Sequence, residues 1–345
     1  MSLIIHAPNI HQGGGRSLLL ALLGALKNES VRQVTLDTRL QHDLKLPPEV
    51  RVERVPSTLA GRLGGEWRLR RTAQVGDTVL CFGNLPPLFR LRARVVVYVQ
   101  NRYQVERRGL GRFPMAARWR MWIERRWFDY GRRWADEIVV QTPSMQRTLE
   151  RRFGIRARVM PFVRDAGRYS RRLPESTRSQ EKKYDFIYVA TGEPHKNHAM
   201  LVEAWRILAD EGLRPTLCLT LNPGSSPELC RWIETRKQEH GLKIEFTGAA
   251  GEEALPGLYR ASGALIYPST FESFGLPLIE ARQAGLPIVA SELDFVRDVV
   301  DPEESFDPHS PFSIAHAVKR FMGRTDDGLR IVDPATFLHE LMERA

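Results

Sequence analysis

Short apolar runs alternate along the chain with longer segments in which apolar residues recur at helical spacing. Runs of this length, bounded by polar residues, are typical of strands buried on both faces of a parallel sheet. In the first half, the predicted strands are Leu3–His6, Thr78–Phe82, Val95–Val99 and Glu137–Gln141. A loop with the glycine run Gly13-Gly14-Gly15 follows the first strand, and a helix is predicted from about Ser17.

The alternation is clearer in the second half. Predicted strands cover Phe186–Ala190, Thr216–Leu221, Ile244–Thr247, Ala264–Tyr267 and Ile288–Ala290. Predicted helices between them cover Asn197–Leu208, Pro227–His240, Glu252–Ala261 and Leu278–Ala284. Strands and helices that alternate across short loops indicate an α/β fold with parallel sheets covered on both faces. Ligands of such sheets bind at the carboxyl ends of the strands.

The length of 345 residues is about right for two domains of ~150 residues each. The stretch 165–183 has almost no apolar residues and is the best candidate for a linker. We therefore predict two Rossmann-like domains, residues 1–165 and 183–330, which face each other across a cleft and are joined by a linker at 166–182. The end of the chain, residues 331–345, is predicted to be helical.

Charge is unevenly distributed along the chain. Residues 1–180 hold 34 Lys and Arg against 15 Asp and Glu, whereas residues 181–345 hold 17 against 26. A positive first half attracts anions such as nucleic acid, anionic lipid or a phosphate-bearing substrate. Three cysteines, Cys81, Cys218 and Cys230, form no Cys-x-x-Cys pair and suit a reducing cytoplasm. No targeting segment or membrane span is predicted, because the longest apolar run covers only Leu18–Leu26.

The segment 264–291 carries the most chemical information. It reads ALIYPSTFESFGLPLIEARQAGLPIVAS, in which a strand is followed by a loop, a glycine and a proline at a helix start. Gly275 allows a tight backbone, and Pro277 suits the first turn, where no amide hydrogen is missed. The amides of Phe274 to Leu276 are then available to an anion.

Two carboxylates flank this helix start. Glu272 lies in the loop, and Glu280 follows eight residues later in the helix, so both can face the cleft. A carboxylate accepts two hydrogen bonds from a sugar diol, which is the usual way in which a ribose is held. Solvated surface carboxylates are the alternative interpretation of either residue alone.

Three further side chains are predicted at strand ends. Lys196 would neutralise a departing diphosphate, and the amides of Gln100 and Asn101 could fix sugar hydroxyls. His195, beside Lys196, and Asn84, after another strand, are weaker candidates. There is no Asp-x-Asp near a strand end and no His/Glu spacing typical of a metal site, so we predict no metal and no other cofactor.

The motif Glu–seven residues–Glu, here E-SFGLPLI-E, resembles the retaining glycosyltransferases of family 4, which have the GT-B fold. Weaker resemblance includes the segments FTG…LYRASGALIYPS and WADEIVVQTPSM. The resemblance implies that Glu280 binds the nucleotide ribose and that Glu272 contacts the donor sugar and its phosphates. It also implies that the amides of Ser273, Phe274, Gly275 and Leu276 hold the diphosphate.

The resemblance gives roles to the first half and to the end of the chain as well. It implies that Gly13, Gly14 and Gly15 let the backbone approach the donor phosphates, and that the last helix packs back on the first domain. Family members place a Lys where Lys196 stands and usually a second base a few residues earlier, where this chain has Gly192 and Glu193. Many also carry a His at or beside Gln100, which this chain lacks. The family's reaction needs no strong protein base, because the leaving phosphate can take the acceptor proton.

Residues 102–134 contain ten Arg together with Trp119, Trp122, Trp127 and Trp134. Arg and Trp in a helical segment are typical of an interfacial helix on anionic lipid. A core helix with a solvated Arg face is an equal alternative. Nucleic-acid binding ranks last, because no recognised motif accompanies the basic residues.

We therefore predict a cytoplasmic enzyme, peripheral on the inner face of the membrane. It would transfer a hexose from a nucleoside-diphosphate sugar to a glycan or lipid-linked acceptor, in the synthesis of bacterial cell-surface polysaccharide or lipopolysaccharide. The alternatives are a nucleotide-sugar epimerase of the same fold and a non-catalytic basic protein that binds membrane or RNA.

Overall fold

The computed structural model describes residues 2–26, 31–40, 46–106, 111, 113–162, 182–251 and 253–324. These residues form two parallel sheets, one before and one after the segment 163–181. The predicted linker at 166–182 lies outside the described residues except for Lys182, and the predicted helix at 331–345 lies outside them entirely. Both stay predictions.

The first sheet has seven parallel strands in the order β3-β2-β1-β4-β5-β6-β7. The strands are β1 (Leu3–Ala7), β2 (Val31–Asp37), β3 (Arg51–Val55), β4 (Thr78–Cys81), β5 (Arg94–Val99), β6 (Glu137–Val140) and β7 (Arg158–Val159). The helices between them are α1 (Gly13–Gly24), α2 (Leu59–Thr72), α3 (Arg102–Val105), α4 (Met115–Gly131) and α5 (Pro143–Phe153).

The second sheet has six parallel strands in the order β10-β9-β8-β11-β12-β13. The strands are β8 (Tyr184–Tyr188), β9 (Leu217–Leu219), β10 (Ile244–Phe246), β11 (Ser262–Tyr267), β12 (Ile288–Ser291) and β13 (Glu304–Phe306). The helices are α6 (His198–Asp210), α7 (Pro227–His240), α8 (Leu255–Arg260), α9 (Leu276–Gln283), α10 (Asp294–Arg297) and α11 (Pro311–Phe321).

Each sheet is buried on both faces, which explains why its central strands are almost continuously apolar. In β11, the residues from Ala264 to Tyr267 are all fully buried, and their neighbours in β8 and β12 pair with them in parallel register. Helices on the two faces complete the core; Trp205 of α6, for example, packs edge-on against Phe186 of β8. The α/β class predicted from the sequence is therefore confirmed.

The glycine run was predicted wrongly. It was expected as a loop before a helix at about Ser17, but α1 begins at Gly13 and the three glycines form its first turn. The apolar pattern of α1 begins only at Leu18, so periodicity cannot detect a first turn that contains glycine alone. The strands β2, β3, β7 and β13 were not predicted at all.

Candidate functional site

Lys196 and Glu272 come from loops after two adjacent strands. Lys196 lies in a short 3-10 turn after β8, and Glu272 lies in the loop after β11, which pairs with β8 in parallel. The Lys196 Nζ is 2.6 Å from Glu272 Oε1, and the two side chains are only 17% and 13% exposed. Burial raises the pKa of the Glu272 carboxyl, but the Lys196 ammonium outweighs burial, and the pKa lies below its usual value. The Glu272 carboxyl is thus ionised at neutral pH.

A buried hydroxyl network ties these two loops together. The fully buried Tyr188 donates from Oη to the carbonyl of Lys196 at 2.7 Å and lies 2.9 Å from Ser269 Oγ. The amide of Thr270 donates to the carbonyl of His195 at 2.8 Å. Because both loops are held by bonds outside the ion pair, the protein itself fixes the positions of Lys196 and Glu272.

Helix α9 begins beside Glu272. Gly275 caps it with φ of 70°, a left-handed conformation that favours glycine, and Pro277 follows within the first two helical positions. Among the described residues, the amides of Phe274, Gly275 and Leu276 have no hydrogen-bond acceptor. Three unsatisfied amides at the positive end of a helix make a site for an anion, next to the Lys196 ammonium.

Glu280 lies on the second turn of the same helix. Its Oε2 accepts a hydrogen bond of 2.9 Å from Tyr259 Oη at the end of α8, which fixes the direction of the carboxylate. Tyr259 is almost fully buried and was not predicted from the sequence, although it lies in the segment LYRASGALIYPS that carries the family resemblance.

The glycine run reaches the start of α9 from the other half of the chain. A Cβ at Gly14 would lie 3.1 Å from Leu276 Cδ1, and a Cβ at Gly15 would lie 3.5 Å from Gln100 Oε1. A side chain at Gly14 would therefore occupy the gap between the first turn of α1 and the helix start of α9, whereas one at Gly15 would meet Ile10 and Gln100. The structure thus brings Gly14 close to Leu276, two residues that the sequence assigns to the donor site. Nothing described lies within 4 Å of a Cβ built at Gly13.

The side chains of Gln100 and Asn101 differ in which of their hydrogen-bonding atoms are already used. Gln100 donates to the carbonyl of Phe82 at 2.8 Å, and its Oε1 is buried without a partner in the described part of the chain. Asn101 instead caps α3, because its Oδ1 accepts from the amide of Tyr103 at 2.9 Å. The backbone amides of both residues donate to Asn84 Oδ1, so Asn84 shapes this loop. A sugar-binding role for either amide stays a prediction.

Ser273 links the two halves of the chain. Its Oγ accepts from the amide of Arg102 at 2.7 Å, and its carbonyl accepts from Thr142 Oγ1 at 3.3 Å. Tyr103 packs on Phe271 with ring centroids 4.4 Å apart and edge-on against His195 at 5.7 Å. Sequence reasoning missed these contacts because a backbone amide and a tyrosine face give no distinctive pattern.

A second link joins α5 to the segment after β12. The Asp298 carboxylate accepts from the amide of Ser144 at 2.9 Å and from its hydroxyl, in the first turn of α5. Arg147 lies 3.7 Å from the other carboxylate oxygen. A carboxylate at a helix N-terminus is favourable, and this one holds the second half of the chain against the first.

Helix α4 lies within the Arg/Trp stretch 102–134, of which residues 107–110 and 112 lie outside the described residues, and it has one buried and one exposed face. Membrane binding by this stretch stays a prediction. Phe128 is fully buried and Trp127 donates to the carbonyl of Pro86, so one face belongs to the core. Trp119 and Trp122 are 60% and 50% exposed, and their rings are in contact at 5.7 Å. None of the described helices has the length and apolar character needed to cross a bilayer.

A family model for glycosyl transferases group 1 matches residues 170–330. O-antigen chain mannosyltransferase B of Escherichia coli is 35% identical over 115 residues, which are 33% of this chain and 30% of the relative. The serotype-specific mannosyltransferase WbdA of the same organism is 33% identical over 139 residues, 40% of this chain and 17% of the relative. The chain thus spans less than a third of the length of these curated relatives.

Solved structures with the same fold cover nearly the whole chain. Alr3699/HepE of Anabaena, in complex with UDP-glucose, superposes with a TM-score of 0.68 at 15% identity and covers 93% of this chain and 90% of its own. WaaG, a glycosyltransferase involved in lipopolysaccharide biosynthesis, has a TM-score of 0.61 at 17% identity over 94% and 91% of the two chains. The predicted GT-B architecture of two Rossmann-like halves is therefore confirmed. Residues 170–330 of this chain thus match the family of glycosyl transferases group 1, in agreement with the resemblance first drawn from the segment between Glu272 and Glu280.

Proposed function

We propose that this protein transfers a hexose from a nucleoside-diphosphate sugar to a glycan or lipid-linked acceptor, with retention at the anomeric carbon, in the synthesis of bacterial cell-surface polysaccharide or lipopolysaccharide. The observation that carries the proposal is the position of the Lys196–Glu272 ion pair beside the unsatisfied amides at the start of α9. An ammonium and a helix N-terminus together suit a diphosphate leaving group.

In this proposal, the diphosphate lies across the amides of Phe274 to Leu276 with Lys196 beside it. Lys196 stabilises the charge that develops as the bond to the anomeric carbon breaks. Glu272 keeps the ammonium in place and accepts hydrogen bonds from the donor sugar. The diphosphate takes the proton of the acceptor hydroxyl, so no protein base is required. Gly13, Gly14 and Gly15 leave room for the sugar and phosphates between the two halves.

Glu280 holds the ribose of the nucleotide in this arrangement. Its carboxylate is already directed by Tyr259, and an ionised carboxylate can accept hydrogen bonds from both ribose hydroxyls. Gln100 Oε1, which is buried without a partner among the described residues, is suited to a hydroxyl of the transferred sugar. Asn101, whose oxygen caps α3, keeps only its amide nitrogen for that role.

The reaction is proposed to need no metal. Lys196 and the start of α9 would supply the positive charge that a divalent cation supplies in other phosphate-transferring enzymes. The names of relatives suggest mannose as one hexose to test, since the O-antigen and serotype-specific relatives are mannosyltransferases.

An anionic membrane surface is the proposed location of the acceptor. Trp119 and Trp122 on α4 are exposed beside Arg118 and Arg126, and α2 exposes Leu59, Leu63 and Trp67. Exposed Trp among Arg suits the boundary between headgroups and acyl chains. The segment 102–134 would then place the first half of the protein on the inner face of the membrane, where a lipid-linked acceptor is available.

A thermal-shift panel of UDP-, GDP- and dTDP-sugars, including GDP-mannose, tests the donor class. A ligand at 100 times its Kd adds about 2.7 kcal/mol of stability, enough for a measurable rise in melting temperature. Glu280→Ala should abolish the rise, and the exposed Glu239→Ala should not. If no nucleotide sugar raises the melting temperature, the proposed function is wrong. Product analysis with the active donor then separates transfer from epimerisation.

A further inference from the structure

A cluster of arginines lies at the carboxyl edge of the first sheet, outside the donor site. Asp37, the last residue of β2, is fully buried and binds Arg39 in two places, with Oδ1 3.0 Å from Nε and Oδ2 2.7 Å from Nη2. The same Oδ2 is 3.4 Å from Nη2 of Arg62 on α2. One carboxylate therefore holds two guanidinium groups.

The buried guanidinium of Arg62 has few hydrogen bonds to offset the loss of solvent. Its side chain is 16% exposed, and within the described part of the chain it makes one hydrogen bond, the long contact with Asp37. Burial lowers the pKa of the Arg62 guanidinium, and the charge of Arg39 adds to that effect. A guanidinium nevertheless stays charged at neutral pH. A largely buried cation with one poor contact is unfavourable unless an anion joins it.

Among the described residues, the other carboxylates that act on Arg62 are Glu66 and Glu124, and both are engaged elsewhere. Glu66 lies 3.0 Å from His6 Nε2 and accepts from the amide of Leu88 at 2.9 Å. Glu124 on α4 accepts from Gln104 at 2.8 Å and lies 3.9 Å from Arg120, so it already serves a third arginine. His11, in the loop after β1, adds no negative charge. Burial and the charge of Arg39 lower its pKa, so the imidazole is neutral at pH 7. Its Nδ1 is buried without a partner among the described residues.

The cluster lies on the same side of the first sheet as the proposed reaction. His11 precedes the glycine run by two residues, and Gly14 of that run is the residue that approaches Leu276 at the start of α9. Carboxyl ends of parallel strands share one edge of the sheet, so Asp37 at the end of β2 belongs to this edge too. A group bound here is on the acceptor side of the gap.

We propose that Arg39, Arg62, Arg120 and His11 form an anion subsite that holds a phosphate or diphosphate carried by the acceptor. This inference rests on the proposed function, because it assigns the acceptor's chemistry to the same cleft. Arginine forks match phosphate oxygens in geometry as well as charge. The phosphate belongs either to a soluble phosphorylated sugar or to a lipid; the exposed Leu63 and Trp119, next in sequence to Arg62 and Arg120, suit the lipid.

Isothermal titration with inorganic pyrophosphate at constant ionic strength tests the subsite. We expect two binding components in the unmodified protein, one at the donor site and one at the arginine cluster. Arg62→Gln should weaken one component at least tenfold, and Lys196→Met should weaken the other. Arg68→Gln, on the exposed face of the same helix, is the matched control and should keep both. If Arg62→Gln does not fold, the half-exposed Arg39→Gln takes its place.

The failure of this inference is distinguishable from failure of the proposed function. Two unchanged components in both Arg62→Gln and Arg39→Gln would overturn the subsite, whatever Lys196→Met does. If Lys196→Met keeps both pyrophosphate-binding components and Arg62→Gln loses one, the proposed donor site is contradicted and the arginine subsite is supported.

Competition identifies the source of the phosphate. Displacement of pyrophosphate from the arginine component by a soluble hexose phosphate indicates a soluble acceptor. Displacement by neutral vesicles doped with phosphatidic acid, and not by undoped vesicles, indicates a lipid phosphate. If neither displaces it, the cluster binds an ion without being an acceptor subsite, and the inference is wrong.

Discussion

Lys196 Nζ lies 2.6 Å from Glu272 Oε1, and this ion pair joins the loops after two adjacent strands of the second sheet. In the proposed reaction, this contact holds the ammonium where the diphosphate leaves. We expect Lys196→Met to lower kcat for sugar transfer by about 10²–10³-fold, the usual effect of losing one group that stabilises a developing anion. Steady-state kinetics with the donor found in the thermal-shift panel measure it.

Lys237→Met is the control, because Lys237 pairs with Glu234 on α7, outside the proposed donor site. A double-mutant cycle with Glu272→Gln should give a coupling of about 1–3 kcal/mol in unfolding free energy, as for contacting residues of one network. Additive effects would show that the two side chains act independently.

The same pair predicts a dependence of stability on pH. Burial alone would raise the pKa of the Glu272 carboxyl, but Lys196 lowers it below the unfolded value of about 4.3. The stabilisation by the ionised carboxylate is therefore complete above that unfolded value and is lost as the pH falls through the lower folded value. Urea unfolding of the unmodified protein and Glu272→Gln should differ by a constant amount at neutral pH and by less in acid. An equal difference at every pH would contradict this assignment.

The contact between Glu280 and Tyr259 predicts graded effects on nucleotide binding. Glu280→Gln keeps one amide oxygen as an acceptor and removes one hydrogen bond to a charged acceptor, worth about 1.5–3 kcal/mol, so it should weaken the nucleotide sugar by roughly 10–100-fold. Tyr259→Phe leaves the carboxylate in place without the bond that directs it, and should cause a smaller loss. Calorimetry measures both. A Tyr259→Phe protein that binds less tightly than Glu280→Gln would reverse the proposed roles.

The close approach of Gly14 to Leu276 predicts that a larger side chain at position 14 impairs donor binding through its bulk alone. A valine there would press on Leu276, because even a Cβ would lie 3.1 Å from Leu276 Cδ1. We expect Gly14→Val to raise KM for the donor about tenfold by widening the gap between α1 and α9, a cost of about 1.4 kcal/mol. Gly24→Val at the other end of α1, where nothing lies within 4 Å of the missing Cβ, should leave KM unchanged.

Liposome flotation tests the exposed aromatic residues of α4. The protein should float with anionic vesicles at low salt, and Trp119→Ser together with Trp122→Ser should reduce the floated fraction several-fold. High salt should release the protein as well, since charge attraction is screened. Trp232→Ser is the control, because Trp232 packs on the core of the second half. Flotation that is unaffected by the α4 substitutions would refute this surface.

Sequence patterns were most informative where the residues are buried on both faces or where a backbone conformation demands one residue type. The strand before Pro268 is apolar from Ala264 to Tyr267, and Gly275 and Pro277 together identify the helix start that the structure has. These features also predicted that Lys196 and Glu272 share one edge of a sheet. The ion pair between them follows from that topology.

Other elements have neither a continuous apolar run nor a residue type that their backbone conformation requires. β3 reads RVERV and lies at an edge with mostly exposed residues, so neither a continuous apolar run nor burial distinguishes it. Helix α2 exposes Leu59, Leu63 and Trp67 to solvent. Its buried face therefore cannot be predicted from the positions of its apolar residues. The cap that the Asn101 oxygen forms on α3 also has no sequence signal of its own, because Asn suits an N-cap as well as a sugar contact. The arginine cluster depends on contacts between distant segments and is invisible to local spacing.

Ser273 has one hydroxyl oxygen, and the amide of Arg102 already donates to it across the two halves. The hydroxyl accepts this bond through one lone pair and keeps its own hydrogen to donate. In the proposed reaction, a donor phosphate on the adjacent amides of α9 can therefore accept from Ser273 while Ser273 still accepts from Arg102. One oxygen atom would then connect the donor to both halves, and occupancy of the donor site would reinforce their contact.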